Sequence, residues 1–184
     1  MEITKHYKIK AAIEAAAAEG DSVGGVLETA VIGMPAGVGE PWFDALESLL
    51  AHGMFSIPAV KGIEFGAGFA LADMRGSQAN DPFAVADGKV ITTMNCSGGI
   101  NGGITNGMPI IFRTAVKPTA TIFKPQVTVD FATLQETTLM PKGRHDPAIV
   151  HRARVVQDAM TALVLCDALA MRFGTDWLSG RSYT

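Results

Sequence analysis

Asn95-Cys-Ser-Gly-Gly-Ile-Asn-Gly-Gly-Ile-Thr-Asn-Gly-Met-Pro109 runs directly into Ile110-Ile-Phe-Arg-Thr-Ala-Val116, and the reading of this stretch decides the fold. Its glycines (Gly98, Gly99, Gly102, Gly103 and Gly107) are interleaved with Ile100, Ile104 and Met108. Ordering glycine costs more backbone entropy than ordering any other residue, so a run of them is either an unordered linker or a loop with a reason to be ordered. The interleaved apolar residues want burial and favour the ordered loop. Two roles remain open for it: a loop facing a ligand, or a tight crossover where backbones meet closely. The loop feeds an apolar strand, 109–116, that stops at Lys117-Pro118.

Working outward, 184 residues suffice for one core, and the whole chain, 1–184, reads as a single domain. A net charge of -3 with scattered Lys and Arg excludes a nucleic-acid surface, which needs a basic stripe with interleaved aromatics. Cys96 and Cys166 are far apart and lack C-x-x-C spacing, which fits a reducing, cytoplasmic setting without a disulfide framework. The amino terminus does not read as a secretory signal, and charges interrupt the apolar run 155–173, so no membrane span is expected. His6, His52, His145 and His151 have no zinc-like spacing.

Helical spacing of Ile9, Ile13 and Ala17 predicts a helix over 7–19 that stops at Gly20. A strand follows over 26–32, then a proline- and glycine-rich loop whose Pro41 is placed to open a helix over 42–52. Segment 56–66 reads as a strand in which Lys61 and Glu64 point to opposite faces, so at least one of them meets protein. Segment 66–77 reads as irregular or briefly helical, Asp87-Gly88 as a hairpin turn and 89–93 as β-prone. Further strands are expected over 119–123 and 126–131, with 135–143 exposed. A last helix spans 152–172, with Val155, Ala159, Ala162, Cys166, Leu169 and Phe173 along one side and Cys166 read as a buried small hydrophobe. Its neighbouring side is apolar too, which suits a helix held between layers. The pattern is α+β: antiparallel sheet packed on a helical layer. Neither a Rossmann nor a P-loop glycine motif has the required context.

Groups able to do chemistry are Lys61, Arg75, Asn106, Arg113, Lys117, Thr121, Arg144, His145 and Asp146. Arg144 offers a planar fork for phosphate or carboxylate and Lys117 a point charge at a strand end. With glycine-loop amides nearby they would form a pocket for an anion. Asp146 beside Arg144 reads either as an ionised base or as a cap for the helix after Pro147, and Arg144 either as an anion ligand or as a surface ion pair.

Seven motifs share one order and spacing with a known family: Gly20-Asp-Ser-Val-Gly-Gly25, Gly37-Val-Gly-Glu-Pro41, Ile57-Pro-Ala-Val-Lys-Gly-Ile-Glu-Phe-Gly66, Arg75-Gly-Ser77, Gly98 to Gly107, Lys117-Pro-Thr-Ala-Thr-Ile122 and Gly143-Arg-His-Asp-Pro147. Together they resemble chorismate synthase, in its carboxy-terminal half only. The resemblance implies a β-α-β sandwich, a homotetramer, and conversion of 5-enolpyruvylshikimate 3-phosphate to chorismate and phosphate by 1,4-anti-elimination with reduced FMN. It places the flavin ring against Pro58 and Ala59, and Lys117 and Thr121 as further cofactor-binding residues. Arg144 is then substrate-binding and Asp146 catalytic, assisting proton transfer; no metal is implied. The family's remaining histidines and arginines come from an amino-terminal half, and His6 and His52 lie outside the motifs that carry them. The chain is therefore expected to be incomplete as a catalyst and to oligomerise or pair with a complementary amino-terminal half. The alternative is a flavin- or anion-binding structural piece without turnover.

Overall fold

The computed structural model describes residues 2–175. Its main sheet is built on the strand Ile110–Val116, where period-2 alternation buries Ile110, Phe112, Thr114 and Val116 on one face and turns Ile111, Arg113 and Ala115 to the other. In chain order the elements are helix α1 (Glu2–Ala18), strand β1 (Gly25–Val31), helix α2 (Leu46–Phe55), strand β2 (Val60–Phe65) and a four-residue helix α3 (Gly76–Ala79). Strands β3 (Phe83–Ala86) and β4 (Lys89–Thr92), the short pair β5 (Ile100–Asn101) and β6 (Ile104–Thr105), and β7 (Ile110–Val116) follow. The chain continues through β8 (Gln126–Asp130), β9 (Gln135–Leu139) and helix α4 (Val150–Phe173).

The three-stranded sheet has the order β1-β7-β2 and is antiparallel throughout. The other strands form hairpins: β3 with β4, β5 with β6, β8 with β9. Helices α2 and α4 cover one face of the sheet, and the core lies there, with Leu46, Leu50, Met54, Ile110 and Phe112 fully enclosed. The fold is α+β, antiparallel sheet on helices, as the patterning predicts.

Departures from that patterning have local causes. Segment 119–123 is not a strand: the Ser22 hydroxyl donates to the Thr119 carbonyl (2.6 Å) and the Phe123 amide to the Gly20 carbonyl (2.8 Å), so it wraps onto the 20–23 loop. Helix α2 begins at Leu46 rather than Trp42, because Trp42 (φ 68) opens a single 3-10 turn and Ala45 is extended. The Leu46 amide then donates to Gly103 (2.9 Å). Segment 135–139 is exposed as expected, yet it is a strand. On α4 the buried stripe is Gln157, Thr161, Leu165 and Ala168, while Val155, Ala159, Ala162 and Cys166 are exposed. The sheet presents Thr29 and Thr114 to this helix, and their hydroxyls select the face that carries an amide. Cys166 is thus a surface thiol and Cys96 the buried one.

Candidate active site

The glycine stretch folds as a hairpin, β5–β6, turning through Gly102-Gly103 at φ 59 and 88. A Cβ on Gly98 would lie 2.5 Å from the Gly66 nitrogen, and one on Gly103 would lie 2.3 Å from the Glu40 carbonyl oxygen. Real Cβ atoms do not approach so closely, so these glycines are explained by backbone packed on backbone, the tight-crossover reading. The expected meeting of these amides with Lys117 and Arg144 does not occur. The hairpin joins the start of β7, Lys117 follows its end, and the extended strand separates them by roughly 20 Å.

The six site residues named from sequence do share one end of the sheet. Ala59 has a left-handed backbone (φ 74), and its carbonyl accepts the Lys117 amide at 2.9 Å, fixing Pro58-Ala59 beside the end of β7. The 20–24 loop ties in the rest. Gly24 backs on the Val116 carbonyl, Ser22 holds Thr119, Gly20 holds Phe123, and the Val23 amide donates to Pro147 (2.8 Å). The Phe123 and His145 rings meet edge to face, 4.4 Å between centroids. Thr121 and Asp146 line a small cavity of about 60 Å3 with Gly20, Asp21 and His145. Arg144 and Arg152 border a more open one of about 260 Å3 beside it.

Charge is unevenly matched here. Asp146 Oδ2 lies 3.2 Å from Arg152 Nε, and Oδ1 accepts the Ala148 amide at 3.1 Å. Asp146 therefore pairs with α4 and not with its neighbour Arg144. Asp21 pairs with Lys124 at 2.6 Å; that ammonium, helped by the Ser22 amide, holds the Asp21 carboxyl below its usual range, and Asp21 in turn raises Lys124. Lys117 and Arg144 are exposed and have no acidic partner among the described residues. The hydroxyl oxygen of Thr119 and Nε2 of His145 are buried without a partner at the same end. Two unmatched cations and unused polar atoms fit the phosphate of FMN or of a phosphorylated substrate, so the residues present suit the anionic part of such a group.

Three features escaped sequence reading. Asp81 is a clamp: its carboxylate accepts the Cys96 amide (2.6 Å) and the Ser97 amide (2.9 Å). Burial works to raise its pKa, but those two amides outweigh it and the result is lowered. Burial and the adjacent carboxylate push the Cys96 thiol up, which makes it inert. Across the outer face of the sheet, Glu28, Arg113 and Glu64 stand in register. Arg113 Nε lies 3.0 Å from Glu64 without aiming its proton at the oxygen, while Nη2 donates to the Gly66 carbonyl (3.0 Å). Glu64 is thus the member of the Lys61–Glu64 pair that meets protein. A larger cavity, about 420 Å3 between the Gly39–Asp44 loop and the end of α4, lies away from all six residues. Its size alone gives it no chemistry. His52 is exposed on α2, and the side chain of His6 falls outside those described.

A family model described as chorismate synthase matches residues 1–170. A chorismate synthase of Opitutus terrae is 56% identical over 155 residues, covering 84% of this chain and 42% of its own. One of Korarchaeum cryptofilum is 52% identical over 162 residues (88% and 45%), and one of Dehalococcoides mccartyi 52% over 173 (94% and 47%). A crystal structure of chorismate synthase superposes with a TM-score of 0.74 at 34% identity, over 93% of this chain and 44% of that one. These matches take in nearly the whole chain, and that coverage corrects the expectation of a resemblance to a carboxy-terminal half only. The chain spans about half the length of the relatives it matches.

Proposed function

The chain belongs to the chorismate synthase family, a family of carbon–oxygen lyases, and from that premise we propose that it supplies part of the site for 1,4-anti-elimination of phosphate from 5-enolpyruvylshikimate 3-phosphate. In this reaction the C3–O bond to phosphate breaks, the C6 proton is lost, and the ring gains a double bond. Reduced FMN, when bound, supplies the transient electron that eases phosphate departure.

Pro58 and Ala59 offer a backbone surface to the flavin ring, and the left-handed turn at Ala59 is bonded to the Lys117 amide beside it. Lys117 and Thr121 hold phosphate and polar groups of the cofactor. Arg144 grips the anionic substrate with its planar fork. Asp146, held in a fixed orientation by Arg152 and the Ala148 amide, handles the proton. The single observation that carries this reading is that Lys117 and Arg144, at the end of the sheet shared by all six residues, have no carboxylate partner among the described residues.

The chain spans about half the length of its relatives, so the site proposed here draws further cations and proton-transfer groups from outside the residues of this sequence, and the place of action is the cytoplasm. No helix of the described residues is long and apolar enough to cross a membrane. The test is an anaerobic assay with reduced FMN and the enolpyruvyl substrate, with and without the complementary part of a relative. Phosphate and chorismate release that falls on Arg144→Ala supports the proposal. FMN binding without turnover in both settings leaves a flavin-binding piece, and no FMN binding in either overturns the reading.

A further inference from the structure

Strands β8 and β9 stand apart from the core. No residue from Gln126 to Met140 is buried, and Val127, Val129 and Phe131 are 81%, 45% and 89% exposed. Two-stranded hairpins are at best marginally stable in water by themselves. This one is also uninterrupted: its register from Gln126↔Leu139 to Asp130↔Gln135 contains no bulge. Edge strands normally carry a lysine, a proline or a bulge that blocks further pairing, and Gln126-Val-Thr-Val-Asp130 carries none of them.

We propose that the free edge of β8 pairs antiparallel with β8 of a second copy of this chain, about a two-fold axis at Thr128. The sequence is self-complementary in that register. Val127 falls opposite Val129 of the partner subunit, on one face, and Gln126 falls opposite Asp130 of the partner subunit. No like charges meet, and the valines join into an apolar strip flanked by Phe131. The edge of β9 is a poorer candidate, since self-pairing about Thr137 sets Glu136 against a threonine. The two feet of the hairpin are the 121–125 and 140–146 segments, so the junction also steadies Thr121, Arg144 and Asp146. The inference deepens the oligomeric part of the proposed function and rests on it.

Sedimentation of the full chain over a concentration series tests it. The wild type sediments as a dimer or larger species. Val127→Lys with Val129→Lys places lysines opposite one another and weakens association by about tenfold or more, with an unchanged circular dichroism spectrum and Tm. Mixing that variant with Val127→Glu/Val129→Glu restores a mixed dimer. In a Cys166→Ala background, Thr128→Cys forms an intersubunit disulfide on mild oxidation. An oligomer indifferent to the lysine pair overturns the β8 junction and leaves the oligomeric reading standing, whereas a wild-type monomer throughout overturns both.

Discussion

The hydroxyl of Thr114, on the central strand, donates to the side-chain oxygen of Gln157 on α4, and the amide nitrogen of that glutamine donates to the Thr29 hydroxyl at 2.9 Å. Gln157 and Thr114 are both buried, at 2% and 1% exposure. One glutamine therefore ties the long helix to two adjacent strands and fixes which of its faces turns inward. Gln157→Leu strands the buried Thr114 hydroxyl and removes the partner of the half-buried Thr29 hydroxyl, and is expected to lower stability by about 1–3 kcal/mol in urea unfolding. Adding Thr114→Val recovers part of that loss, since a matched apolar pair leaves fewer groups unpaired.

The glycine hairpin separates two effects that usually travel together. At Gly102 an added Cβ meets nothing within 4 Å, and only its φ of 59 opposes a side chain. At Gly103 the same Cβ also strikes the Glu40 carbonyl. Gly102→Ala should cost about 1–2 kcal/mol, the left-handed penalty alone. Gly103→Ala should cost clearly more, and thermal unfolding of the two variants checks the order.

Asp81 gives the pH dependence a definite sign. Its folded pKa is lower than the ordinary 3.8, so its contribution to stability is fully present above that value and is lost as pH falls through the folded value. Asp81→Asn should flatten the acid side of a Tm-versus-pH curve below about pH 4. An acid limb unchanged by the substitution would show that the clamp does not govern it.

At the candidate site, Lys117→Ala and Arg144→Ala are expected to weaken binding of the phosphorylated ligands by about ten- to a hundredfold, the worth of a hydrogen bond to a charged group. Arg144→Lys should restore charge without the two-pronged grip and recover little. Asp146→Asn should leave flavin affinity close to normal and lower turnover, read by flavin titration beside phosphate release.

Periodicity sufficed where a segment's own side chains decide its structure. The alternation in Ile110–Val116, the helices at both ends of the chain and the Asp87-Gly88 turn were legible for that reason. It failed where a distant partner decides. Nothing local shows that Gly103 will bind the start of α2, or that two threonines will choose the amide face of α4 over an equally apolar stripe. The candidate site was legible through its motifs, and its clustering follows from hydrogen bonds made by Gly20, Ser22 and Val23, which are not among the site residues themselves. The Asp81 clamp was invisible because it joins a polar turn to a loop already accounted for by its glycines.

The Glu28–Arg113–Glu64 row sets a boundary on how this molecule can be extended. One guanidinium cannot neutralise two carboxylates, so an oily slab laid over that side would trap a surplus negative charge away from water. Growth by a further hydrophobic layer is thereby steered to the opposite flank, where α4 displays Val155, Leu163 and Met171 to solvent.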